Sequence, residues 1–392
     1  MKPPKVILPI IVISQFCCTS LWFAGNSVIN DLIVNFNLNA NALGHLTSAV
    51  QFGFIIGTLL FAVLTIADRF SPSKVFFISA ILGTLFNLGI IHSANHLTSL
   101  LTLRFFTGFF LAGIYPIGMK IAADYYNQGL GKSLGFLVGA LVLGTAFPHV
   151  LKDMTHTFLW KSVILTTSTL AILGGLLMLL FVPDGPYRKP MQKTDLSVFL
   201  GVFKNTEFRS VAFGYFGHMW ELYAFWTFVP ILLKKYTETH LQTTFNIPIL
   251  SFVIIGAGGL ACVLSGYIAQ RKGTKKTAFT ALLLSCICCL ISPLLFAVTN
   301  ANVFIAFFIF WGIVVVADSP LLSTLVAQNA APKIKGTALT IVNCIGFAIT
   351  IISIQILTKM LALTASNGIF VVLAIGPILG LFMLKKKSPF NL

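Results

Sequence analysis

The sequence predicts an all-α membrane protein of twelve transmembrane helices arranged as two pseudo-symmetric six-helix bundles. Three observations carry that prediction. The chain is 57% hydrophobic and 9% charged, with a mean hydropathy of +0.94, whereas a soluble domain holds roughly 25% charged residues. Apolar stretches recur along it at about 20 residues each, the length that crosses ~30 Å of hydrocarbon as a helix. The tetrad Ala67, Asp68, Arg69 and Lys74 returns 202 residues later as Ala269, Gln270, Arg271 and Lys276, each copy lying between two apolar runs. A basic cluster between two apolar helices must sit in water at a membrane face. Its recurrence half a chain apart implies two bundles built on one plan.

Spans 1 to 6 are expected near residues 6–29, 42–66, 75–92, 97–122, 133–150 and 161–182. Spans 7 to 12 follow near 210–233, 246–268, 277–297, 303–327, 336–358 and 367–384. Strict alternation of apolar and polar residues is missing, which excludes a lipid-facing barrel. Span 1 is too long for a cleaved signal, and no small-x-small site follows it before span 2. The one break in the rhythm runs from Pro183 to about Arg209 and includes Gly185, Pro186 and Pro190. It reads as a cytoplasmic linker, dividing the chain into residues 1–183, 184–209 and 210–392. No segment outside the spans is large enough to hold a core, and no Walker-type phosphate loop is present. A soluble catalytic or ATP-binding module is therefore not expected, and no cofactor is called for.

The formal charge of +16 does not point to nucleic acid, because its distribution follows the spans. Of 26 basic residues, one set of loops holds twenty, among them Lys5, Arg69, Lys74, Lys120, Arg188, Arg271, Lys275 and Lys276. The opposite set holds Lys152, Lys161, Lys234, Lys235 and Lys359, and Arg104 lies within span 4. Positive residues collect on the cytoplasmic side, so both termini are expected there. All seven cysteines fall within spans. Cys286, Cys288 and Cys289 have no His or carboxylate near them in sequence, and they read as small apolar residues rather than as a metal site.

Polar residues inside the spans carry the functional signal. Arg104 begins the string Arg104-Phe-Phe-Thr107-Gly108 on span 4. A buried arginine is costly in a bilayer, so it should face a polar cavity or a partner, or else snorkel. Span 7 carries Gly217-His218-Met219-Trp220-Glu221-Leu222-Tyr223, with Glu221 near its middle. His218, one turn earlier on the same face, is within reach of Glu221 as a hydrogen-bond partner. Span 10 contributes Ala317-Asp318-Ser319-Pro320, where Pro320 breaks the backbone ladder and frees carbonyls to line a cavity. Glu221 and Asp318 either exchange protons or tie helices together by buried hydrogen bonds. Glycines spaced four apart (Gly53 and Gly57, Gly135 and Gly139, Gly258 and Gly266 about Cys262) allow close helix approach.

These motifs together resemble the major facilitator superfamily over essentially the whole chain. That family's loop motif between spans 2 and 3 reads G-x-x-x-D-R-x-G-R-K. The first copy here keeps Asp68, Arg69 and Lys74 but has Leu64, Ser71 and Ser73 in place of the other three. The second, from Gly266 through Arg271, Gly273, Lys275 and Lys276, keeps the glycines and bases and lacks the acid. The resemblance implies a gating role for Asp68 and Arg69, with Lys74, Arg271, Lys275 and Lys276 alongside. In the family, the acid caps a neighbouring helix and pairs with a base only while the cytoplasmic side is shut. It also implies that spans 1, 4, 7 and 10 surround a central cavity, and that the glycine pairs on spans 2, 5 and 8 flank the interface between halves.

The strings Thr19–Asn26, Gly217–Tyr223 and Val316–Pro320 are similar to a little-characterised bacterial branch of permeases. The expectation is a monomeric multi-pass transporter of a bacterial inner membrane, coupled to protons and moving a zwitterion, weak organic acid or cation. In it, Glu221, Asp318 and His218 would handle the proton. Asn26, Trp22, Arg104, Tyr115, Trp220, Tyr223 and Trp226 would form the substrate cavity, the aromatics offering apolar walls with polar edges. An exporter of a siderophore, drug or other amphiphile, and a ligand sensor that does not transport, are the alternatives. An enzyme is not expected, for no paired nucleophile and base is visible.

Overall fold

A computed structural model describes residues 5–126, 130–154, 160–188, 201–331, 334–364 and 366–385. Within those residues the chain is helical throughout, without strands. Ten helices are long and apolar enough to cross a bilayer. They include spans 2 (Ala42–Val63), 3 (Pro72–Gly89), 6 (Lys161–Phe181), 8 (Ile247–Lys272), 9 (Thr274–Leu295) and 11 (Lys335–Leu363). Span 7 is one helix of 34 residues, Thr206–Thr239, and span 5 runs over Leu130–Met154. Of the linker expected over 184–209, residues 189–200 lie outside the described residues.

Three spans are interrupted where the sequence gives a reason. Span 1 breaks after Ile7–Thr19 and resumes as Ala24–Ser27 and Ile29–Asn35. Before the break, Thr19 and Ser20 turn their hydroxyls back onto the carbonyls of Gln15 and Cys17, a bond that competes with the helical ladder. Span 4 stops at Leu111 and restarts at Tyr115, with Pro116 in its first turn; span 10 stops at Ala317 and restarts at Ser319, with Pro320 there. Proline fits the first turn of a helix, where its missing N–H is not needed, although Pro148, Pro230 and Pro293 lie inside helices that continue through them. Span 12 opens as a tighter 3-10 segment, Asn367–Ala374, before Ile375–Lys385.

The two copies of the loop tetrad do not fold alike. In the first, Thr65 adopts a left-handed φ of 50° and Asp68 and Arg69 sit on a short helix, Ile66–Arg69. In the second, Arg271 closes span 8 and a single residue, Gly273 at φ 90°, joins it to span 9. Such a φ suits glycine, which has no Cβ to collide with the backbone.

The halves meet along two seams. On one, spans 5 and 8 run in contact from Asn246, which donates to Asp153 at 2.6 Å, to Lys132, which lies over the ring of Tyr267 at 5.1 Å. Gly139 and Gly259 face each other between those points, so closely that a Cβ on either would press on the other's carbonyl oxygen at 2.7 or 3.0 Å. On the second seam, Gln355 of span 11 donates to Gly44 O at 3.1 Å and to Ser48 Oγ at 2.7 Å on span 2. Gly53 and Gly57 correct the expectation for span 2: they abut the backbone of Phe105 and Phe109 on span 4, inside their own half. Gly258 likewise abuts span 10 at Gly312, and Gly266 meets nothing. Of the glycine pairs expected to flank the interface between halves, Gly135 and Gly139 on span 5 are the pair that faces the other half.

Candidate functional site

Between the halves, five aromatic rings close the midline. Trp22 and Phe54 come from one half; Tyr223, Trp226 and Phe347 come from the other. Trp22 stacks on Tyr223 and Phe347 with centroids 5.7 and 5.8 Å apart, and Phe54 approaches Phe347 at 4.5 Å. Tyr223 and Trp226 meet edge to face at 5.2 Å. Offset and edge-on arrangements of this kind add to the burial of the rings themselves. The indole N–H groups of Trp22 and Trp226 are buried there without a hydrogen-bond partner.

Two spaces adjoin this plug. A gap of about 20 Å³ lies against Tyr115, Tyr215, Tyr223, Trp226, Ser319 and Phe347. A larger cavity of about 390 Å³ lies on the face opposite the repeated basic loops. Its polar lining includes Asn26, His149, Trp226, Lys234, Lys235 and Glu238. Asn26, Tyr115, Tyr223 and Trp226 thus border one or both spaces, and Trp22 forms part of the plug. Trp220 borders neither: its indole N–H donates to Val372 O at 3.0 Å, on span 12.

Arg104 also borders neither space. It is 1% exposed and donates to Leu21 O at 3.1 Å, to Trp22 O, and to Asn87 Oδ1 at 3.4 Å. Its guanidinium therefore satisfies carbonyls freed by the break in span 1, a partner within the protein rather than a cavity. Asn87 continues the chain of contacts to Ser168 Oγ at 3.0 Å on span 6. A rigid planar fork with several donors suits this bridging of two carbonyls.

The acids of the other half lie behind the plug. On span 7, Tyr215, Met219, Leu222 and Trp226 border the central gap, while His218 and Glu221 sit on a different face. Glu221 accepts from Ser285 Oγ of span 9 and from Trp311 Nε1 of span 10 at 2.6 Å. His218 does not partner Glu221, as its spacing suggested. Its Nδ1 lies 2.8 Å from Asp318 Oδ1, both side chains 1% exposed. That approach has the distance of an ion pair without hydrogen-bond alignment, and His218 Nε2 and Asp318 Oδ2 are unpartnered. Asp318 occupies the joint of span 10, next to Val316 and Ser319 at the gap. Glu221 is a satisfied carboxylate; His218 and Asp318 lie against each other with none of their four polar atoms hydrogen-bonded, a costly arrangement away from water.

At the basic face, Asp68 pairs with Lys120 of span 4 at 3.1 Å. Arg188 holds the same loop by donating to the carbonyls of Asp68 at 3.0 Å and Phe70 at 2.8 Å. Arg69, Lys74, Arg271 and Lys276 are exposed, and Lys275 lies 3.6 Å from Glu207. Several participants were not singled out in the sequence, among them Phe54, Phe347, Asn87, His149, Ser285, Trp311, and Thr47, which accepts from Asn26 at 2.8 Å. Only His149 had a visible signal, a histidine following Pro148 inside an apolar span.

Comparison with known proteins adds three findings. A family model described as Major Facilitator Superfamily matches residues 11–354. A multi-drug resistance efflux pump PmrA homolog of Lactococcus lactis subsp. lactis (strain IL1403) is 26% identical over 203 residues, covering 52% of this chain and 50% of that protein. The match thus spans about half the length of this curated relative. Among solved structures, the human organic anion transporter MFSD10 (TETRAN) aligns over 98% of this chain and 100% of its own, with a TM-score of 0.72 at 13% identity. The proton:xylose symporter XylE, bound to 6-bromo-6-deoxy-D-glucose, aligns over 96% of this chain and 94% of its own, with a TM-score of 0.75 at 14% identity. At those identities the likeness is one of fold.

Proposed function

The chain belongs to the Major Facilitator Superfamily, and on that premise we propose that it is a proton-coupled secondary transporter of a small organic solute. It is a membrane transporter and not an enzyme; the coupling and the class of solute are the proposal. The observation that carries it is an aromatic plug between the two halves with a buried His218–Asp318 pair, in contact but without hydrogen bonds, behind it. A solute in the 390 Å³ cavity reaches Trp226. Passage then requires the plug to part, with the halves rocking about spans 5 and 8. Asp318 lies at the joint of span 10, so protonation of the pair is placed to bias that joint, and Glu221 holds spans 7, 9 and 10 together beside it. We assign Asp68, Arg69 and Lys120 to the closing of the basic face, and the bacterial inner membrane with cytoplasmic termini to its location.

The test is solute uptake into proteoliposomes with and without an imposed proton gradient, comparing the native chain with Glu221→Gln and His218→Gln. The reading expects His218→Gln to lose gradient-driven accumulation while retaining exchange at equal pH, with its pH dependence removed. Wild-type accumulation in both variants would remove the coupling role from this cluster. A second reading, efflux of an amphiphilic compound, is favoured by the similarity to a multi-drug efflux pump. Dye accumulation in inside-out vesicles, whose lumen corresponds to the cell exterior, separates the two.

A further inference from the structure

The 390 Å³ cavity falls within the size range of small-molecule sites, ~300–1,000 Å³, and its lining is chemically one-sided. Neither Glu221 nor Asp318, the acids that the sequence set at the core, borders it or the central gap. Glu238 is the one carboxylate among its lining residues. It stands at the rim with its side chain 60% exposed, 3.7 Å from Lys234. A cation entering this space finds no unshared counter-charge along its walls.

An anion meets a rim of net positive charge, two lysines against one carboxylate. Lys234 and Lys235 stand at the rim, and a charge focused at a cleft mouth raises the local concentration of its counter-ion. Deeper in, the indole N–H of Trp226 and the Nε2 of His149 are buried and make no hydrogen bond to the protein. An unpartnered buried indole N–H is unfavourable and a ligand acceptor relieves it, and His149 can do the same as its Nε2–H tautomer. Asn26 gives its amide N–H to Thr47 Oγ1 at 2.8 Å, which fixes its orientation at the same wall. Ile29, Leu43, Phe228 and Ile231 supply an apolar wall, with Asn30, Asn41, Thr227 and Thr358 as further uncharged polar neighbours.

We propose that this cavity binds a monocarboxylate with a compact apolar body, the carboxylate held by Trp226 and His149 and the body packed on the apolar wall. The proposal rests on the transporter reading above and narrows its three solute classes to one. The lysines act on the approach; the indole and imidazole act on the bound ligand.

Three probes of one shape and different charge test it: benzoate, benzyl alcohol and benzylamine, titrated by calorimetry into the purified full chain in detergent. Benzoate is expected to bind with a Kd below about 1 mM, at least about tenfold more tightly than benzyl alcohol, with benzylamine weakest. Trp226→Phe keeps a ring and removes the N–H, and should weaken benzoate about tenfold, the loss of one charge-assisted hydrogen bond, leaving benzyl alcohol unchanged. Lys234→Gln should weaken benzoate at low salt and much less at high salt. Benzylamine binding as tightly as benzoate, three equal affinities, or no saturable benzoate binding would each overturn the proposal. If Trp226→Phe does not fold, the ranking of probes on the native chain decides alone. These titrations need no gradient, so their failure leaves the transport reading standing. Loss of gradient-driven uptake would strike that reading and not the site.

Discussion

Gly139→Ala and Gly53→Ala introduce the same methyl group, and the structure assigns them different consequences. At Gly139 the new Cβ would lie 2.7 Å from Gly259 O in the opposite half; at Gly53 it would lie 1.8 Å from Phe105 O in the same half. A relaxed carbon–oxygen contact is about 3.3–3.6 Å. Spans 5 and 8 must therefore separate by about 0.6–0.9 Å, and spans 2 and 4 by about 1.5–1.8 Å. Overpacking of this kind costs about 1–3 kcal/mol. For Gly53 no conformation of the half escapes the clash, so the cost falls on folding and lowers Tm in detergent. For Gly139 the clash exists only while the halves are seated as described, so the same cost appears as a shift between states. A difference of 1–3 kcal/mol is about 5–150-fold in their ratio.

The assay is the rate of maleimide labelling at Asn30→Cys, on the wall of the 390 Å³ cavity, beside thermal unfolding. All seven native cysteines are buried, which keeps the background low. Gly139→Ala should change the labelling rate about fivefold or more with a near-native Tm, and Gly53→Ala should do the opposite. An equal loss of Tm in both, with labelling unchanged, would refute the assignment of the span 5–8 seam to motion.

Arg104→Lys should destabilise the protein by about 2 kcal/mol, because an ammonium cannot bridge the carbonyls of Leu21 and Trp22 as a planar fork does; denaturation in detergent measures it, and a native midpoint contradicts it. Asp68→Asn removes one of the two carboxylates paired with Lys120, Asp124 being the other, and a partly exposed pair is worth at most about 1 kcal/mol. Stability and ligand affinity should therefore stay near native while exchange in vesicles slows. An affinity that falls as steeply as the rate would show that Asp68 does not gate.

The sequence made the architecture legible because a bilayer imposes length, apolarity and charge bias on every span. The joint in span 10 was legible too, from Pro320 beside Asp318, although Pro230 and Pro293 sit in helices that do not break. Partners were less so. Helical spacing put His218 and Glu221 on one face of span 7, but it cannot say which neighbouring helix supplies the atom closest to each. Span 10 reaches His218 through Asp318, and spans 9 and 10 reach Glu221 through Ser285 and Trp311. Arg104 was read as cavity-facing because an intramembrane charge needs a partner. The partner was backbone, freed by a break in span 1 that Thr19 and Ser20 announce only weakly. Gly53 and Gly57 were expected to flank the interface between halves for a similar reason: small residues mark close approach without naming the helix approached.

The contacts of Arg104 also decide how Trp22 can travel. An unwound turn in a membrane helix is usually a place to bend, and a tryptophan beside it could swing like a latch. Here the carbonyls of Leu21 and Trp22 are clamped to span 4, and through Asn87 and Ser168 to spans 3 and 6. The turn is thereby splinted from outside, and Trp22 becomes a fixed tooth on its half rather than a moving part of it. A spectroscopic probe placed at Trp22 would then report the displacement of an entire bundle, and two such teeth, Trp22 and Trp226, would measure the stroke of the machine.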